Sequence, residues 1–133
     1  MERARCRLLI VEDCSATRDF LGDLLSIEGF ATRQAGDGRE ALAVAEDFRP
    51  DLILLDLEMP GMDGRTLLVE LERSERLAGI PTIIMSAYGE RWDSPISVHQ
   101  VAALLPKPFD RDTLLGTIGR ALDREGLAAT ASR

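Results

Sequence analysis

The stretch LILLDLEMPGMDG, residues 52–64, begins as an unbroken apolar run, carries a carboxylate at Asp56, and breaks at once into Met59, Pro60 and Gly61. A short continuous apolar run bounded by turn residues reads as a strand buried on both faces, the pattern of a parallel sheet covered by helices. A charge on such a strand is costly unless it is paired or bound to a metal. Asp56 therefore needs partners, and the rest of the chain has to supply them.

Outward from this strand, apolar runs alternate with helical periodicity. RLLIVE (residues 7–12) is a first strand, followed by a helix with Ser15 as N-cap and Phe20, Leu21, Leu24 and Leu25 on one face. Gly29 ends that helix. FATRQ (residues 30–34) is a second strand and leads through GDG (residues 36–38) into a helix with Ala41, Leu42, Ala45 and Phe48 on one stripe, stopped by Pro50. After the strand at 52–56, Asp63 is the expected N-cap of a helix carrying Leu67, Leu68 and Leu71. PTIIMS (residues 81–86) is a fourth strand. Pro95 interrupts any helix drawn through residues 88–100. AALL (residues 102–105) is a fifth strand, ended by PKPF, and the last helix carries Leu114, Leu115, Ile118, Ala121 and Leu122. Residues 125–133 are small and polar and are expected to fray.

Five strand–helix units imply a parallel sheet with helices on both faces, in a chain of 133 residues with room for one core. In such sheets the functional crevice lies outside the carboxyl ends of the strands. Glu12 and Asp13 follow the first strand, Asp56 ends the third, Ser86 ends the fourth and Lys107 follows the fifth. All five are therefore expected at one edge.

Composition narrows the chemistry. A formal net charge of -7 opposes unaided binding to nucleic acid or anionic membrane, which are polyanions. No run approaches the ~20 apolar residues of a membrane span, and no signal-peptide core is present, so a cytoplasmic chain is expected. Cys6 and Cys14 lack metal-ligand spacing and read as reduced thiols, and the single His99 supplies no multi-histidine site. Three converging carboxylates repel one another and call for a cation. Magnesium suits them, being a hard ion held by one or two carboxylates together with phosphate oxygens. With the Lys107 ammonium and the Ser86 hydroxyl beside it, Asp56 has what phosphoryl transfer to a carboxylate needs.

The acidic pair Glu12-Asp13 after LLIV, the aspartate in LILLDLEMPGMDG, Ser86-Ala87 after TIIM, and Lys107-Pro108-Phe109 together resemble the response-regulator receiver domains of two-component signalling. The resemblance covers residues 6–124. It implies a flavodoxin-like doubly wound sheet with strand order 2-1-3-4-5, one receiver unit over residues 1–124, and a flexible tail at 125–133. It further implies that Asp56 accepts a phosphoryl group from a histidine kinase or phosphotransfer protein in a magnesium-dependent reaction. Asp13 and Asp56 would ligate the metal with the Glu58 backbone carbonyl, Glu12 would act through metal-bound water, Ser86 would be the hydroxyl switch and Lys107 the phosphate-binding cation. Pro108 stands where the family often has a cis bond, and Pro60 and Gly64 read as turn shapers. Such a chain catalyses chemistry on its own aspartate alone and signals through protein contacts, without binding nucleic acid itself.

Several other readings bear on the same residues. A phosphatase of the haloacid dehalogenase type would want an aspartate two residues after the nucleophile, where this chain has Glu58, and a flavin or nucleotide carrier would want a glycine-rich loop in place of residues 11–15. A receiver-like module that is not phosphorylated would not need the full set Asp13, Asp56, Ser86 and Lys107. A receiver belonging to a hybrid kinase or a longer regulator would look the same over this span. Two departures concern the read-out: Leu104 occupies the position, three residues before the lysine, where the resembled family usually has an aromatic, and Pro95 falls in a common output surface. They lead to the expectation that ordering of residues 89–100, around Trp92, carries the signal.

Overall fold

The computed structural model describes residues 6–57, 64–86 and 101–124. Its elements are β1 (Arg7–Val11), α1 (Ser15–Ile27), β2 (Ala31–Ala35), α2 (Gly38–Phe48), β3 (Leu52–Asp56), α3 (Gly64–Arg73), β4 (Thr82–Ser86), β5 (Val101–Pro106) and α4 (Arg111–Arg124). The strands form one sheet in the order β2-β1-β3-β4-β5, every pair parallel. This is the flavodoxin-like order that the family resemblance implies. Glu58, the turn at 59–63 with its expected cap Asp63, residues 89–100 with Trp92, Pro95 and His99, and the tail at 125–133 lie outside the described residues.

The sheet divides the core by the two-residue period of its strands. Leu8 and Ile10 of β1, with Leu52 and Leu54 of β3, face Leu21 and Leu25 of α1 and Leu114 and Ile118 of α4. Leu9 and Val11, with Ile53 and Leu55, face Ala41 and Ala45 of α2 and Leu67, Leu68 and Leu71 of α3. Both faces of β3 are thus covered, and all five of its residues are buried.

Strand entries and helix starts depend on local hydrogen bonds. At the end of α1, Gly29 takes φ 103°, its N–H donates to the Ser26 carbonyl at 3.0 Å, and the Phe30 N–H donates to the Leu25 carbonyl at 3.1 Å. These are the two bonds of a Schellman cap, and Phe30 packs in the same core as Leu25. Phe30 is therefore a capping residue, and β2 begins one residue later than its β-rich sequence suggests. At the start of α2, the Asp37 carboxylate accepts from the Glu40 N–H at 2.8 Å, while Glu40 accepts from the Gly36 N–H at 2.5 Å. This is a close relative of the capping box.

Two expectations for α1 are corrected. Its N-cap is Cys14 in an extended conformation, and Ser15 is the first helical residue. Its buried face is centred on Leu21, Gly22 and Leu25, which turns Phe20 outward to 62% exposure. Gly22 lies against β2, where a Cβ on it would stand 2.3 Å from the Gln34 side-chain nitrogen.

Gly64 opens α3 by a comparable close approach. Its N–H donates to the Leu57 carbonyl at 3.3 Å, and a Cβ on it would lie 2.8 Å from Leu57 Cα and 3.1 Å from the Asp56 carbonyl oxygen. Those obstacles are backbone and cannot rotate away. Gly64→Ala is expected to destabilise the protein by about 1–3 kcal/mol, the usual range for overpacking, whereas Gly79→Ala, with open space around it, should stay within about 0.5 kcal/mol, as ordinary surface changes do. Urea unfolding of the two variants checks this.

Candidate functional site

The exits of β1, β3 and β5 are each prolonged by one ladder bond at the carboxyl edge. The Glu12 N–H donates to the Ala35 carbonyl at 3.1 Å, the Leu57 N–H to the Met85 carbonyl at 3.0 Å, and the Lys107 N–H to the Ser86 carbonyl at 2.9 Å. The register sets Val11 beside Leu55, so Glu12 and Asp56 emerge side by side. On the other flank, β4 and β5 are in step with an irregularity: Thr82 pairs with Val101 but Ile83 with Ala103. The extra residue on β5 puts Pro106 opposite Ser86, and Lys107 follows directly.

The result is a compact charge cluster. One oxygen from each of Glu12, Asp13 and Asp56 lies within 4.8 Å of the other two. Glu12 and Asp56 are buried, at 2% and 3% exposure, while Asp13 is exposed. The Lys107 ammonium reaches in from the opposite side, 3.2 Å from Glu12 Oε1 and 3.4 Å from Asp56 Oδ1. Ser86 is buried at the end of β4. The Lys107–Pro108 peptide bond is cis. Of the residues singled out in the sequence, Glu12, Asp13, Asp56 and Lys107 converge, Ser86 stands one strand away from Asp56, and Glu58 lies outside the described residues. Leu104 sits on β5 at 37% exposure.

Burial by itself would push the Glu12 carboxyl up. The hydrogen bond it shares with Asp56, the Cys14 N–H at 3.3 Å and the Lys107 charge outweigh burial and hold it below its ordinary value of 4.5. Burial would likewise push Lys107 down, but the Asp56 and Glu12 charges outweigh it and hold the ammonium above 10.5. Cys6, buried before β1, and Cys14, exposed after it, are both free thiols.

The cluster can hold a hard cation. Its donors are carboxylate oxygens, spaced so that one small ion could engage them directly or through its waters. Sequence inspection passed over Arg18, whose guanidinium donates to the Glu12 carbonyl at 2.8 Å. A basic residue in the first turn of a helix, where the dipole disfavours it, was the available signal.

The family model of the response regulator receiver domain matches residues 8–119. The chain is 37% identical over 119 residues to the DNA-binding dual master transcriptional regulator RpaA of Synechocystis, covering 89% of this chain and 49% of that protein. It is 37% identical over 118 residues to sporulation initiation phosphotransferase F of Bacillus subtilis, covering 87% of this chain and 93% of that one. The chain thus spans about half the length of the first relative and nearly all of the second. Among solved structures it is similar to response regulator protein TrrA of Thermotoga maritima in complex with magnesium and beryllofluoride, with TM-score 0.76, 29% identity, and coverage of 88% of this chain and 99% of that one.

The pKa directions set a pH window for the pair. Glu12, depressed when folded, contributes stability that is present above pH 4.5 and lost as pH falls through its folded value. Lys107, raised when folded, contributes stability that is full below pH 10.5 and lost as pH rises through its folded value. In chelator, Lys107→Met is therefore expected to lower stability most at neutral pH, with the difference from the parent shrinking above pH 10.5. Denaturant titrations of both proteins across that range are the check, and a difference independent of pH would contradict the assignment.

Proposed function

The chain belongs to the response regulator receiver family and is a phosphoacceptor of two-component signalling, and on that premise we propose that Asp56 is the residue that takes the phosphoryl group. The observation that carries the proposal is a buried carboxylate, 3% exposed, that ends an otherwise wholly apolar strand beside two further carboxylates and 3.4 Å from a lysine ammonium. In this reading an Asp56 oxygen attacks the phosphorus of a phosphohistidine, the bond from phosphorus to the histidine nitrogen breaks, and an acyl phosphate remains on Asp56. Lys107 pairs with a phosphoryl oxygen, giving up part of its present contact with Asp56. Ser86 donates its hydroxyl to another.

Glu12, Asp13 and Asp56 are the residues that would hold magnesium. When bound, the ion supplies positive charge against the oxygens of the phosphoryl group in transfer. Asp13, the exposed member, presents its carboxylate to solvent where an entering hydrated ion meets it, while Glu12 is tied to Lys107 and the Cys14 N–H. Hydrolysis of the acyl phosphate at the same site would be the chain's other reaction, both of them on its own aspartate.

The receiver unit in this proposal spans residues 1–124, and its phosphodonor is a cytoplasmic histidine kinase or phosphotransfer protein. An apolar groove of about 480 Å³, lined by Thr17, Phe20, Leu21, Lys107, Pro108 and Phe109, borders the cluster and suits the approach of such a protein. Among the described residues no helix is long and apolar enough to cross a membrane.

Two outcomes are expected. Magnesium at a hundredfold over its dissociation constant should stabilise the fold by about 2.7 kcal/mol, since it binds the native cluster and not the unfolded chain. Thermal melts with and without the ion, repeated on Asp13→Ala, read this directly, and Asp13→Ala should lose most of the shift. With acetyl phosphate, intact mass should show one added phosphate in magnesium, none in chelator and none in Asp56→Asn. A phosphate that persists in Asp56→Asn, or maps to Ser86, would overturn the assignment.

A further inference from the structure

We propose that Arg18 is a positioning residue that sets how tightly the acidic cluster binds magnesium, by fixing the backbone that carries Glu12 and Asp13. This rests on the metal-binding reading above and deepens it. Arg18 lies in the first turn of α1, with its own N–H bonded to the Cys14 carbonyl at 2.9 Å. Its side chain turns back over the β1–α1 loop. Nη1 donates to the Glu12 carbonyl at 2.8 Å and reaches the Asp13 carbonyl at 3.5 Å. The two hydrogens of one guanidinium nitrogen can serve both acceptors.

Helix chemistry does not account for a cation here. The N-terminal turn carries the positive end of the helix dipole, so an arginine there is mildly unfavourable, and the first turn of α1 has no acidic residue to offset it. What the position does offer is two loop carbonyls that have left the β-ladder. The backbone of Glu12 is then held on both sides of its Cα: its N–H donates to the Ala35 carbonyl at 3.1 Å and its carbonyl accepts from Arg18. Asp13 has an exposed side chain, and its direction is set by the backbone that Arg18 holds.

A second contact closes the clamp. Gly36, in the β2–α2 turn, packs against the guanidinium so closely that a Cβ on it would lie 3.0 Å from Nη1. The arginine is thereby wedged between the exits of β1 and β2. Gly36 has no positive φ, so the backbone tolerates alanine there, and the added methyl would press directly on the nitrogen that makes both bonds.

Isothermal titration of the full chain with magnesium alone tests this. Arg18→Ala should weaken magnesium binding about 10–100-fold, the usual effect of removing a group that orients metal ligands. Arg18→Lys, whose side chain is one atom shorter and lacks the planar guanidinium that rests against Gly36, should recover part of the loss, and Gly36→Ala should weaken binding by a smaller factor. The rate of phosphorylation by acetyl phosphate should show a raised half-saturating magnesium concentration and a nearly unchanged maximum. A purely structural arginine would lower the melting temperature in chelator and leave magnesium affinity alone. Equal affinity in the parent and in folded Arg18→Ala overturns the proposal, and if that variant does not fold, equal affinity in Gly36→Ala does so. A parent chain that binds no magnesium would instead sink the metal-binding reading itself.

Discussion

A buried carboxylate at the end of an apolar strand is the constraint around which this molecule is arranged. Asp56 closes β3, the central strand, and is almost fully removed from solvent. Left alone there it would be strongly unfavourable. Its compensation comes from Lys107, which lies 51 positions further along the chain and 3.4 Å from its Oδ1. An all-parallel sheet makes this possible because every strand exit lies on one edge. The fold and the site therefore answer the same electrostatic demand.

That demand is met within small tolerances. Glu12 and Asp56 stand level because β1 and β3 pair in simple register. Lys107 stands level with them because β5 carries one residue more than β4 at its entry. The Schellman cap at Gly29 and the Asp37–Glu40 pair fix the ends of β2, whose Ala35 carbonyl in turn anchors Glu12. Gly64 lets α3 start against the backbone of Leu57. Turns on the rim of the sheet thus act on the chemistry through distances of a few ångströms.

The cluster is also left incomplete in charge. One ammonium, that of Lys107, faces three carboxyl groups among the described residues, which leaves a site attractive to a hard cation. Beside the cluster, Phe20 stays exposed on α1 and forms an apolar rim next to Lys107.

Much of this was legible in the chain. Unbroken apolar runs marked the buried strands, helical spacing marked the cover, and Glu12, Asp13, Asp56, Ser86 and Lys107 fell at strand ends where a parallel sheet must gather them. Those are properties of neighbours along the sequence, and side-chain period reports them directly. Other features needed the fold. Phe20 shares a helical stripe with Leu21, Leu24 and Leu25, yet α1 buries Leu21, Gly22 and Leu25 and leaves Phe20 outside. The additional residue in β5 has no mark in VAALLP, because a register shift exists only against a partner strand. Arg18 is six residues from Glu12, yet its role depends on which way the loop carbonyls point. Residue type and spacing thus determined which groups could meet at the sheet edge, while their order, level and orientation were decided by packing between segments distant in the chain, where contact geometry rather than local preference sets the energy.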